Sequence, residues 1–161
     1  ASRVGIMSEG QLLQVASPND IYERPNCRFT AEFIGETNLF SGQVIVDEAD
    51  HVEVGASDLR LPVYVGHGIT GHVGLPVSVA LRPEKIYLSQ DEPPGPFNRV
   101  RGTVKEMSYF GSYSVYFLEL PSGALLKVSE ENDQRHREDK LTWGDSVWAS
   151  WPSSAQVVLT H

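Results

Sequence analysis

Two short stretches of this chain combine residue types able to do chemistry. The first is Leu81-Arg82-Pro83-Glu84-Lys85-Ile86. Pro83 lacks a backbone N–H and pushes Arg82 towards an extended conformation, so a strand must end, bulge or lie at an edge there. Arg82 and Glu84 then stand either side of a fixed bend, where each has the charge and reach to pair across an interface. The simplest reading is a structural turn whose charges are solvated. The second stretch is Tyr109-Phe110-Gly111-Ser112-Tyr113. Gly111 supplies the permissive backbone for a hairpin or bulge. Three rings beside a bend suit stacking on a ligand or nucleobase. More often such rings fill the mouth of a barrel, and no flanking basic cluster is present to hold a nucleic-acid backbone. Arg82, Glu84, Tyr109, Gly111 and Tyr113 are therefore the candidate regulatory or interface residues.

Other chemistries find no support. His136 lies between Arg135 and Arg137 in a charged segment, and His67 and His72 sit in the Gly-rich stretch from Gly66 to Gly74. Neither set has metal-ligand spacing, so no metal site is expected. There is no Gly-x-Ser-x-Gly, no His-Glu-x-x-His and no Cys paired with a nearby His. No Gly-x-x-x-x-Gly-Lys-Ser/Thr loop is present either. Without backbone amides and a Lys around the phosphates, the chain should hydrolyse no ATP and hold no cofactor by itself.

Composition narrows the class further. Thirteen basic residues against 21 acidic ones give a net charge of −8 over 161 residues. This argues against a general nucleic-acid surface, which needs clustered Lys and Arg. Cys27 is the only cysteine, so no internal disulfide can form and a reducing setting is the simpler expectation. No apolar run approaches the roughly 20 residues needed to span a bilayer as a helix.

The elements that must position these residues fall into two blocks. Val4 to Met7 and Gln11 to Val15 flank a Glu9-Gly10 turn and form a two-stranded ribbon. Such a ribbon is marginal alone, so it is expected to complete a sheet belonging to a preceding domain. Ser17-Pro18-Asn19-Asp20 starts a helix, with Ser17 as N-cap and Pro18 at the first position. Pro25 keeps that helix short. A second runs from Asn26 to Ile34, with Phe29 and Phe33 on one face and Gly35 as its stop. Beyond Thr37, strands are expected at Gly42 to Val46, His51 to Gly55, Leu59 to Val65, Val77 to Leu81 and Lys85 to Leu88. A further set follows at Val100 to Met107, Tyr113 to Leu120, Leu125 to Val128, Val147 to Trp151 and Gln156 to Leu159. Short strands with regular turn signals suggest a barrel or sandwich. Asp91-Glu92-Pro93-Pro94-Gly95-Pro96 is the clearest linker. On either side of it Gly, Pro and Leu markers recur about seventy positions apart in the same order. Gly74-Leu75-Pro76-Val77 is answered by Gly144-Asp145-Ser146-Val147, which suggests an internal duplication.

At these residues the chain resembles a known family. The run from Arg3 through Val15, Ser17 and Pro18 to Pro25 looks like the stretch that ends the nucleotide-binding domain of ABC importer ATPases. Phe29 to Asn38 looks like the bridge to their regulatory domain. Leu81-Arg82-Pro83-Glu84, Gly111 between aromatics, and Trp143-Gly144-Asp145-Ser146-Val147 are similar to markers of the TOBE domain. Arg135-His136-Arg137 and Thr142-Trp143-Gly144-Asp145 resemble the putrescine-type polyamine importers most closely.

The resemblance implies a mainly β fold: an OB-like TOBE barrel of two similar halves, preceded by a short hairpin and two short helices. Residues 1–36 would be the nucleotide-binding remnant and bridge, and 37–161 the regulatory domain, with halves at about 37–90 and 97–161. It implies a regulatory and dimerisation domain for the ATP-hydrolysing subunit of a polyamine importer, with putrescine the first choice of substrate. ATP and Mg2+ would belong to the full-length parent, whose catalytic parts lie before Arg3. Partners would be a second copy, membrane permease subunits and, indirectly, a periplasmic polyamine-binding protein, at the cytoplasmic face of the bacterial inner membrane. An acidic domain in such a system could also sense polyamine directly. Two alternatives stay open: the same module in an importer for sugar, iron or oxyanion, and an OB-type module for single-stranded nucleic acid.

Overall fold

The computed structural model describes residues 2–59, 61–95, 98–132 and 141–161. The segment containing Arg135, His136 and Arg137 lies outside the described residues. Strands β1 (Val4–Ser8) and β2 (Gln11–Ala16) form the expected ribbon. Glu9 and Gly10 both have positive φ, 49° and 77°, the geometry of a tight two-residue hairpin turn. Helix α1 (Pro18–Glu23) starts where Ser17 Oγ accepts from the Asp20 N–H at 3.2 Å. Helix α2 (Arg28–Ile34) begins two residues later than Asn26, because the Asn26 backbone is used elsewhere. Its N–H donates to Gln14 Oε1 at 2.9 Å, while Gln14 Nε2 donates to the Arg24 carbonyl at 3.0 Å. One ribbon side chain thereby fixes the chain between the two helices.

The remaining strands are β3 (Asn38–Asp47), β4 (Val52–Ala56), β5 (Val63–Val65), β6 (Pro76–Leu81), β7 (Tyr87–Ser89), β8 (Asn98–Tyr109), β9 (Tyr113–Glu119), β10 (Leu125–Glu131), β11 (Ser146–Trp151) and β12 (Val157–Leu159). Two expected strands are shorter than their apolar content suggests. Leu59 to Val65 yields only β5, with Leu59, Leu61 and Pro62 outside any strand, and Pro83–Lys85 is a single 3-10 turn ahead of β7.

The strands form two five-stranded sheets, in the orders β12-β6-β3-β4-β5 and β10-β9-β8-β11-β7. Every pairing is antiparallel. Both orders describe one repeated unit, with β3 to β6 matched by β8 to β11. Each half gives its last strand away: β7 pairs with β11 of the second half, and β12 pairs with β6 of the first. The repeat extends to detail. Both long strands carry a bulge, at Val44/Val46 and Val104/Glu106. Gly74 and Gly144, at φ +91° and +85°, turn the chain so that each donates its N–H across at 2.8 Å, to Val44 and Val104 respectively. Such φ values cost glycine little and other residues more.

A pair of buried asparagines ties the halves together. Asn38 Oδ1 accepts from the Lys127 N–H at 2.8 Å and its Nδ2 donates to the Lys127 carbonyl at 2.9 Å, clasping edge strand β10. Asn98, at the equivalent place on β8, does the same to Tyr64 on edge strand β5, both contacts at 2.8 Å. An edge strand's unpaired backbone groups are thus satisfied by a side chain from the opposite half. Inside, residues of both sheets make one apolar core, including Phe40, Val79, Leu81, Tyr116, Leu126 and Trp151. On the outside, α2 packs Ala31 against Ala80 and Leu159, and its Arg28 N–H donates to the His161 carbonyl at 3.0 Å.

Candidate functional site: the clasp between helices and barrel

Arg82 follows β6, where Pro83 ends the strand. Its side chain is 6% exposed, which overturns the expectation of a solvated charge. The guanidinium reaches back to the helical segment instead. Nη1 donates to the carbonyls of Ala31 (3.2 Å), Gly35 (2.9 Å) and Glu36 (3.0 Å), and Nη2 to that of Tyr22 (3.2 Å). The plane also lies over the Tyr22 ring, 4.3 Å from its centroid. The last carbonyls of a helix have no partner within it and carry partial negative charge. A planar cation with several fixed donors is the side chain best able to satisfy them together. Gly35 accordingly ends α2 with extended backbone, φ 175°, rather than with a left-handed cap. A Cβ there would lie in ordinary contact with Tyr22 and Arg82, at 3.4 Å and 3.6 Å.

Glu84 completes the clasp by accepting the Tyr22 phenol hydrogen bond. Burial first, and then that hydrogen bond to Glu84, push the Tyr22 hydroxyl up to about 12. Lys85 pairs with Glu23 of α1 at 2.5 Å. Arg82, Glu84 and Lys85, consecutive around one proline, therefore all hold the same helical segment. That segment is pinned a second time by Lys127 of β10, whose ammonium pairs with Glu36.

Between the clasp and the β8–β9 hairpin lies a cleft of about 540 Å³. Tyr22, Glu36 and Glu84 face Phe110, Tyr113 and Lys127 across it. The Lys127 ammonium sits 5.8 Å from the Phe117 ring centroid. The two carboxylates of the cleft are engaged within the chain, Glu36 by Lys127 and Glu84 by the Tyr22 hydroxyl.

Of the five candidate residues, Glu84 and Tyr113 line this cleft; Arg82 does not, and touches it only through Tyr22, on whose ring it lies. Gly111 is the hairpin turn, at φ +85°. Tyr109 stands apart, 70% exposed. The expectation that this aromatic cluster fills the barrel mouth is corrected. Phe110 is 56% exposed and stacks on Tyr113 at 5.1 Å. The two rings stack on each other and line the cleft instead of entering the core. Reading by residue type missed Tyr22, Glu36 and Lys127, whose roles depend on contacts across 60 or more positions or on strand register. It also missed the asparagine pair, although Asn38 and Asn98 occupy matching places ahead of matching Gly-x-Val runs.

An internally duplicated antiparallel barrel with exchanged end strands is of the OB-like class. The cytoplasmic molybdate-binding protein ModG has a solved structure that superposes with a TM-score of 0.68, over 77% of this chain and 96% of that one. Identity is 18%, so the likeness is one of fold. Residues 79–159 match the family model of the TOBE domain, and the chain belongs to that family. It is 38% identical over 160 residues to the putrescine transport ATP-binding protein PotG of Escherichia coli K12, covering 99% of this chain and 42% of that protein. It is 35% identical over 163 residues to the spermidine/putrescine import ATP-binding protein PotA of Treponema pallidum, covering 94% and 42%. The chain thus spans about two fifths of the curated relatives it matches. Among the described residues, no helix is long and apolar enough to cross a membrane.

Proposed function

We propose that this chain is the regulatory part of the ATP-hydrolysing subunit of an ABC-type polyamine importer, with putrescine as the transported substrate. The single observation that carries the reading is the Arg82 clasp, which joins a helical segment to a duplicated TOBE barrel through four hydrogen bonds. Residues 1–36 serve as the end of the nucleotide-binding domain and the bridge, and 37–161 as the regulatory body. ATP and Mg2+ are bound by the parent protein outside this stretch, so the parent is the enzyme. It works as a homodimer at the cytoplasmic face of the bacterial inner membrane, beneath permease subunits fed by a periplasmic polyamine-binding protein. The names of the relatives support the polyamine assignment, and the 38% identity extends over 99% of the chain.

Arg82, Glu84, Gly111 and Tyr113 shape the regulatory site in this reading, and Tyr109 offers an interface ring. A cationic regulator would take the place of the Lys127 ammonium on Glu36, and the net charge of −8 motivates that element of the reading. Calorimetry with putrescine or spermidine tests that element; no heat at millimolar ligand counts against it. The whole reading is tested by restoring uptake in a strain lacking the parent gene. Labelled putrescine uptake should return with the natural gene and fall with Arg82→Ala at unchanged protein level. Uptake of a sugar, iron or an oxyanion instead would reassign the substrate. Unaltered putrescine transport in the Arg82→Ala strain would remove the coupling role.

A further inference from the structure

The duplication supplies an internal control for the outer face of each sheet. In the first half, β3 and β6 place Ser41 opposite Ser78 and Gln43 opposite Pro76. The matching cross-strand pairs in the second half are Arg101 with Trp148 and Thr103 with Ser146. The same backbone is therefore built with two serines in one half and with an arginine and a tryptophan in the other. The fold itself does not call for the cation or the indole.

These residues line a groove of about 630 Å³, walled by Leu61 and Leu120. Arg101 is oriented in it: Nε donates to Ser146 Oγ at 2.7 Å and the guanidinium lies 5.8 Å from the Trp148 ring centroid. Its two terminal nitrogens have no acceptor among the described residues, whereas the other charges nearby are paired. Arg99 donates to the carbonyls of Pro93 and Gly95 and meets Glu92 at 3.4 Å. Glu119, a carboxylate in the groove wall, is held by Lys105 at 2.9 Å. An arginine steered by its Nε presents the two-pronged edge that phosphate and carboxylate match. Hydroxyls at Thr103 and Ser146 add further donors. The volume and the apolar walls exceed the needs of an inorganic anion and fall in the range of small-molecule sites.

We propose that this groove binds an organic anion of nucleoside-monophosphate type, its phosphate on Arg101 and its flat ring against Trp148. The site is separate from the Arg82 clasp and goes beyond the importer assignment. The test is titration of the 161-residue chain with adenosine monophosphate, inorganic phosphate and adenosine, followed by amide chemical shifts. Sister-half residues provide the variants, Arg101→Ser and Trp148→Ser, with unchanged melting temperature as the folding control. The expectation is saturable shifts on β8 and β11 with adenosine monophosphate. Arg101→Ser should abolish them, and Trp148→Ser should weaken binding about tenfold, the usual contribution of one stacked ring. Inorganic phosphate should bind more weakly and ignore Trp148→Ser. Shifts elsewhere, no shifts at millimolar nucleotide, retention of binding in Arg101→Ser, or phosphate binding as tightly as the nucleotide would each overturn the proposal. So would an oligonucleotide binding far more tightly than the mononucleotide.

Discussion

Arg82 concentrates the energetics of the helix–barrel junction in one side chain. Removing it takes a donor from the carbonyls of Tyr22, Ala31, Gly35 and Glu36, one bond buried and three part-buried. Arg82→Ala should cost about 3 kcal/mol, measured by urea unfolding, because unmet acceptors and a lost charged donor both count. Arg82→Lys should recover only part of this, since a single ammonium cannot span the same acceptors. Tyr22 gives a second test, through pH. Its hydroxyl is raised in the folded protein to about 12, against roughly 10 when unfolded. The folded state then holds the proton more tightly. The resulting stability is complete below about pH 10 and is lost as pH rises towards 12. Melting temperature should fall over that window, and Tyr22→Phe should flatten the part that this residue contributes. An identical alkaline profile in the variant would show that burial and the Glu84 contact do not raise the Tyr22 hydroxyl. The sequence marked Arg82 and Glu84 as special through Pro83, but not the direction in which Arg82 points. A proline bend says where a strand stops; whether the flanking charge meets water or a helix end depends on what packs beside it.

Among the elements, the paired asparagine clasps explain how two exchanged sheets stay closed. Asn98→Ala strands the N–H and carbonyl of Tyr64 on edge strand β5. A loss of about 2 kcal/mol follows from those two unmet groups. Hydrogen exchange should then quicken in β5 more than in β10, and Asn38→Ala should show the reverse. Equal loosening of both edges in either variant would contradict the assignment. At this scale the sequence was informative in a particular way. Gly42-Gln43-Val44 and Gly102-Thr103-Val104 marked the two long strands, and the seventy-position spacing of Gly74 and Gly144 marked the turns before β6 and β11. The exchange of β7 and β12 left no such trace, because each is a three-residue strand whose partner is set by topology rather than by local pattern. Aromatic content misled at the β8–β9 hairpin, since a ring's preference for burial is met only where a core is in reach.

For the molecule as a whole, the clasp joins the barrel to the helical segment, and the ribbon is joined to that segment through Gln14 and Leu13. Met7 and Leu12 of the ribbon are exposed, and such apolar surface promotes contacts between copies. Sedimentation of the chain should show a dimer that survives removal of residues 3–16, since the proposed pairing lies in the barrel; a monomer after trimming would place the contact in the ribbon. The most direct measurement is amide hydrogen exchange across residues 18–36, compared with β3 and β6, in the chain and in Arg82→Lys. The account predicts that α2 is protected nearly as well as the barrel, and that the variant loses this protection while β3 and β6 keep theirs. Helices that exchange as open chain in the unaltered protein, or that ignore Arg82→Lys, would contradict it.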